Sequence, residues 1–485
     1  MLTATPDLRG GSDAYSNTIC DSGRLPTMTV AGDFAAWALE LRLDDIPEDV
    51  QAAACRQLLD GIGCAVAAVR GDAAPYATSV ATALGAAATA STPGFATIIG
   101  DGRRAPAVAA AFANGVLVHA LDFDDTHAGG LVHATAAVLP TAFAAGEERV
   151  ADGQEVLTAA VAGYELVCRL GAAVPHGFHA RGFHATSVCG VFASALVSAR
   201  LSGLDVDLVV NALGIAGSCA SGSLEFLHTG ATTKQLHPGL AALNGMVAVR
   251  LATDGAEGPG SIFEGEYGLF RTYLGVDVDA KRLTDDLGNR WETREITIKP
   301  YPVCQLSHAA LDALRCLLPL DGTTIDEIRF RVHTDSTPIV LEPANLKVRP
   351  RSSYEAKFSL PWCAAALVVD GDLTIHSFEP ERLTQEPVRR LAARVSYEEA
   401  SYGGVPADAP GDVTVTLSDG RKLEASVEVS RGHPRNPMTE EDVIGKLAGA
   451  TGLSSGRVET LAGLALGLSA QPTLEPLLTA TRYPT

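Results

Sequence analysis

Leu121-Asp122-Phe123-Asp124-Asp125-Thr126-His127-Ala128-Gly129-Gly130-Leu131-Val132-His133 sets three carboxylates, a hydroxyl and two imidazoles within twelve residues. On either side, Ala107 to Ala120 and Ala134 to Ala145 are dominated by Ala, Val and Leu. The flanks read as two core helices, and the run between them is their break. Burying such a polar run is costly unless its groups are satisfied or used. Proton-transfer chemistry uses groups of this kind in a low-dielectric wall. The stretch therefore predicts a helical domain folded around a polar centre.

Outward from it, the helical pattern spans about residues 30–275. Ile46-Pro47-Glu48-Asp49 opens a helix, with Pro near the first turn and acids at the positive end of the dipole. Val50, Ala54, Leu58, Ile62 and Ala65 follow at helical spacing. Further helices are expected over about 105–122, 133–148, 153–173, 184–203, 205–222 and 234–254, with Gly-containing breaks between several of them. Many lack a polar face and should be buried on several sides.

Beyond about residue 290 the period changes. Residues 294–299 alternate like a strand, as do 325–333, where Ile328, Phe330 and Val332 oppose Arg329, Arg331 and His333. Val413 to Leu417, an Asp419-Gly420 turn, and Leu423 to Val429 read as a hairpin. Helices are expected at about 305–319, 354–371 and 384–394. The expected fold is mainly α with a smaller α+β domain. Its parts are a disordered tail (1–29), an all-helical domain (30–275), an α+β domain (276–435) and C-terminal helices (436–485) that pack back on the helical domain.

The chain has 485 residues, too many for one ordinary core. A net charge of −20 argues against a nucleic-acid partner, because phosphate binding needs a basic surface. Nine scattered cysteines with no CxxC pair suit reduced thiols and a cytoplasmic location, not a zinc or iron–sulfur site. Asn114, His119, His133 and Pro140 interrupt the longest apolar runs, so no membrane partner is expected. The first thirty residues have no apolar core of a signal peptide.

Four segments hold candidate chemistry. In the first, Asp122 ends one apolar helix and His133 opens the next, a plausible acid/base pair; helix capping is the plain alternative for any one carboxylate. In the second, His184 stands at a helix start after His176 and His179, where a dipole lowers a histidine pKa and favours anions. Those three histidines admit a metal reading, but their spacing matches no strong ligand pattern. In the third, Lys234 is the only Lys or Arg between Ser202 and Ala248. A cation in such a segment wants a carboxylate, from the protein or from a substrate, and the substrate is the favoured reading. In the fourth, Lys299 ends a strand before Pro300-Tyr301-Pro302. Cys304 and His308 lie four apart there; a Cys–His nucleophile pair competes with a plain buried thiol.

Taken together, Leu59-Asp60-Gly61-Ile62-Gly63-Cys64, His119 to Thr126, His133, Phe183-His184-Ala185-Thr186, Thr233-Lys234 to His237, Ile298-Lys299-Pro300-Tyr301 and Glu355 to Pro361 resemble the MmgE/PrpD family of 2-methylcitrate dehydratases, cis-aconitate decarboxylases and iminodisuccinate epimerases. The resemblance covers about residues 30–470. It implies a homodimer with an active site between a helical and an α+β domain, no metal and no organic cofactor. It assigns catalysis to Asp122, His133 and His184. Thr126, Lys234, Lys299, Cys304 and Trp362 are assigned to substrate binding. Trp362 stands where the family often has Tyr, so a phenolic donor is missing.

The expected activity is a cofactor-free lyase acting on a small di- or tricarboxylate, dehydration first and decarboxylation second. An epimerase of a dicarboxylate such as iminodisuccinate, a non-catalytic carboxylate-binding relative, and a metal-dependent hydrolase built on His176, His179 and His184 are the alternatives.

Overall fold

The computed structural model describes residues 29–85, 94–279 and 281–483. Most of the expected tail therefore lies outside the described residues.

The flanks of the opening stretch form helices Ala107–His119 and Ala134–Arg149. Both are almost wholly buried, as their all-round apolar composition requires. Around them pack helices Glu48–Arg70, Gly153–Ala172, Ala185–Leu201 and Thr233–Thr253, with Val206–Gly217 lying against the last two. Small residues let these helices approach closely. A Cβ on Gly115 would stand 2.7 Å from the Gly239 Cα, so helices Ala107–His119 and Thr233–Thr253 cross backbone to backbone. That crossing brings the start of the second helix, with Lys234, beside the end of the first, with Asp122.

Glu48–Arg70 is, among the described residues, the one helix long and apolar enough to cross a membrane. Its apolar window is 83% buried within the protein, as suits a core helix.

The smaller unit carries a mixed four-stranded sheet in the order Val395–Ala400, Ile325–His333, Gly411–Leu417, Lys422–Val427. The first pair is parallel and the other two antiparallel. Ile328, Phe330 and Val332 point inward, as their alternation predicts. They join Val413 and Val415 in a core with helices His308–Arg315 and Leu360–Asp370. Gly420 takes the left-handed φ of +84° that the hairpin turn needs. The expected strand over 294–299 is much shorter. Only Ile296–Thr297 pairs, antiparallel with Thr126–His127.

Two main hydrophobic clusters result. Leu283, Trp291, Ile296 and Ile298 belong to the first, and the second begins at Tyr301. Helices Glu440–Thr451 and Ser455–Leu466 return to the first cluster, against Glu48–Arg70. On this basis we propose that the helical domain continues to about residue 298 and takes the chain back from about 438.

Candidate active site

Asp122 sits just past helix Ala107–His119 with a left-handed φ of +52°, a costly conformation for a residue with a Cβ. Its surroundings hold it there. The backbone N–H donates to the His119 carbonyl (3.1 Å), and the backbone carbonyl accepts from Lys299 Nζ (3.1 Å). The side chain is fully buried. Its Oδ1 accepts from Lys234 Nζ at 2.5 Å and Lys299 Nζ at 3.2 Å, while Oδ2 has no partner among the described residues. Burial opposes the charge, but Lys234 and Lys299 outweigh it and hold the carboxyl well below its usual range.

Lys299 arrives through the short strand pairing. Thr126 faces Thr297, so two residues further on Lys299 reaches back to Asp122. Lys234 enters on the first turn of helix Thr233–Thr253 and lies 5.2 Å from the Phe358 ring centroid. Of the two partners open to Lys234, the protein supplies a carboxylate of its own, Asp122.

His133 and His184 stand immediately before helices Ala134–Arg149 and Ala185–Leu201. The His133 Nδ1–H donates to the Asp125 carbonyl (2.7 Å), with Thr126 Oγ1 at 3.3 Å, so the bonding pattern favours an unprotonated Nε2. The Thr186 hydroxyl accepts from the His133 backbone N–H (3.0 Å) and ties the two segments together. His184 Nδ1 bonds His237 Nδ1 at 3.0 Å, leaving its Nε2 without a partner among the described residues. Burial is the main force pushing both imidazoles well below the usual histidine range. Lys234 adds to it in both, with His119 next at His133 and His237 ahead of Lys234 at His184.

His119, absent from the expected site, does not line the cavity but packs against two of the imidazoles that do. The fully buried ring lies 4.5 Å from that of His133 and 5.6 Å from that of His184. Its Nδ1–H donates to Asp124 Oδ2 at 2.7 Å. Asp125 turns instead to the next helix. Its Oδ1 accepts from the Thr135 backbone N–H (3.1 Å), and its Oδ2 accepts from the Thr135 hydroxyl. Burial pushes its carboxyl up to about 7 despite those bonds.

Asp122, Thr126, His133, His184, Lys234, Lys299 and Cys304 line one cavity of ≈ 50 Å³, whose far wall includes Leu306, Ile339 and Phe358. Trp362 does not. It packs 5.3 Å from Phe378 inside the second core, with its indole Nε1 unpartnered among the described residues. A substrate-binding role for Trp362 is corrected accordingly. Nor do Cys304 and His308 pair. His308 Nε2 bonds the Val303 carbonyl (3.2 Å), and burial pushes the Cys304 thiol up.

The metal reading also changes membership. His119, His133 and His184 offer ligand atoms within 4.8 Å of one another and could hold an ion. His176 instead bonds the Ala128 carbonyl at 3.3 Å, which leaves the His176, His179 and His184 set without the geometry of a ligand group.

The MmgE/PrpD N-terminal domain matches residues 32–280 and the C-terminal domain residues 301–463. The cis-aconitate decarboxylase of Aspergillus terreus is 31% identical over 483 residues, covering 94% of this chain and 96% of its own. The cis-aconitate decarboxylases of Homo sapiens and Mus musculus are 30% and 29% identical, over 70% and 71% of this chain and 72% and 71% of their own. Fold, site and relatives define an enzyme of the lyase class. The chain belongs to the MmgE/PrpD family.

Proposed function

We propose that this protein is a cofactor-free decarboxylase of a small unsaturated tricarboxylate, with cis-aconitate the first candidate. The observation that carries this is the Asp122 carboxylate held between Lys234 and Lys299, beside His133 and His184. Similarity to decarboxylases over nearly the whole chain moves decarboxylation ahead of dehydration.

Lys234 and Lys299 together with Asp122 leave one net positive charge. This seats a substrate carboxylate and stabilises charge that develops next to it. In decarboxylation the C–CO₂ bond breaks, CO₂ departs, and the electron pair spreads over the adjoining unsaturated carboxylate. A proton on the resulting carbanion completes the step. We assign its delivery to His133 or His184, whose imidazoles line the cavity. Asp122 orders the two ammonium groups. Thr126 can donate to a substrate oxygen.

Leu306, Ile339 and Phe358 form one wall of the cavity. That wall belongs to the α+β unit, which suits binding between the domains. A homodimer is part of the same proposal, by family resemblance.

The test is a panel of cis-aconitate, citrate, 2-methylcitrate and iminodisuccinate, followed by mass spectrometry. Loss of CO₂ from cis-aconitate supports the reading. Loss of water from a hydroxy acid would replace it with a dehydratase, and hydrogen exchange without loss of mass would replace it with an epimerase.

A further inference from the structure

Beside the catalytic cavity lies a larger cleft of ≈ 620 Å³, whose lining includes Arg70, Ser353, Tyr354, Lys357, His376 and Glu379. Ala120, Leu121 and Gln235 form part of its wall and are chain neighbours of Asp122 and Lys234. The reaction proposed above uses none of its polar side chains.

Lys357 is 5% exposed. Its Nζ donates to the Pro302 carbonyl (3.0 Å) and lies 4.3 Å from the Phe378 ring centroid. No carboxylate lies within ion-pair distance of it among the described residues. Burial pushes this ammonium down to about 8, although Asp122 pulls it the other way. A buried cation without a counter-charge is costly unless something supplies one. Tyr354 is 7% exposed, and its hydroxyl has no partner among the described residues. Arg70 stands exposed on the rim and makes no ion pair among the described residues. The one carboxylate in the lining, Glu379, already bonds His376 at 2.8 Å. The cleft thus has a buried ammonium, a buried phenol and an exposed guanidinium, and its own acid bonds His376 rather than Lys357.

We infer that this cleft is a second oxyanion-binding site, for a carboxylate or phosphate group held by Lys357, Tyr354 and Arg70. An anion there would accept from the phenol, supply the missing counter-charge to Lys357, and gain a bidentate partner in Arg70. The site does not depend on which reaction the catalytic cavity performs.

Isothermal titration of the full-length protein with inorganic phosphate and, separately, with succinate tests this. Binding of at least one is expected; the tighter of the two names the group the cleft prefers. Arg70→Ala removes a rim side chain without disturbing the core and should weaken binding several-fold. Lys357→Met should weaken it about tenfold or more, and Lys357→Arg, which keeps the charge, should restore part of it. Lys234→Met should leave it in place. No binding of either anion, or binding lost in Lys234→Met but unchanged in Arg70→Ala and Lys357→Met, would overturn the inference.

Discussion

Lys299 grips Asp122 at two points, donating to its backbone carbonyl at 3.1 Å and to its Oδ1 at 3.2 Å. One ammonium therefore fixes both the strained backbone and the charge of the residue on which the site is built. Removing one partner of a buried ion pair costs about 3–5 kcal/mol, because the other is left uncompensated. Lys299→Met should lose stability on that scale in chemical denaturation and reduce kcat/KM at least about 100-fold. A variant of parental stability and activity would show that the double contact does not support the site.

Asp124 does not line the cavity, yet it orients His119 between His133 and His184. Asp124→Asn removes the charge behind the His119 Nδ1–H and keeps the shape. It should lower kcat about tenfold, a fraction of the about 10²–10⁴ that general acid/base catalysis provides, with KM nearly unchanged. An effect confined to KM would count against a positioning role.

Lys446 ties a C-terminal helix to the catalytic loop. Its Nζ bonds Asp60 Oδ1 (2.6 Å) and the Phe123 carbonyl (2.7 Å), 3.9 Å from the Phe123 ring centroid. Lys446→Met should destabilise by about 3 kcal/mol, because Asp60 stays buried without its cation. Adding Asp60→Leu should recover part of that loss, since a buried pair replaced on both sides can be neutral. Additive losses in the double-mutant cycle would contradict the coupling.

His308 predicts a pH effect with a definite sign. It is fully buried, and burial, with Lys299 close by, pushes its pKa down to about 3. In the unfolded chain the imidazole takes a proton below about 6.5, while the folded protein does not until far lower. His308 therefore subtracts stability as pH falls from 6.5. Each pH unit corresponds to about 1.4 kcal/mol for one such group. Between pH 6.5 and 5, the parent should lose about 2 kcal/mol more than His308→Gln does. Parallel stability curves for the two proteins over that window would refute a depressed pKa.

The sequence reveals the helical core, the sheet alternation and the residues gathered around Asp122, because each leaves a local mark. Apolar flanks make the helices; Ile328, Phe330 and Val332 alternate; a lone Lys234 stands out in an uncharged segment. What stays hidden depends on tertiary contact. His119 ends an apolar helix and reads as core until its ring is seen against two others. Strand Val395–Ala400 lies at the sheet edge with little burial, so Val395-Ser396-Tyr397-Glu398-Glu399-Ala400 shows no clean alternation. Trp362 reads as a site residue only from its position after Leu360-Pro361. The N-terminal turn of helix Leu360–Asp370, capped by Ser359, sends it into the second core.

The proposed reaction requires that this site break a C–CO₂ bond and reprotonate the carbon. Incubation of the purified protein with cis-aconitate in D₂O, with CO₂ trapped and the product analysed by mass spectrometry, tests it directly. One CO₂ should be released for each product molecule, with one solvent deuteron on carbon, and both signals should be lost in His133→Gln with His184→Gln. Cis-aconitate recovered unchanged, or a product that keeps all its carbon, would contradict it.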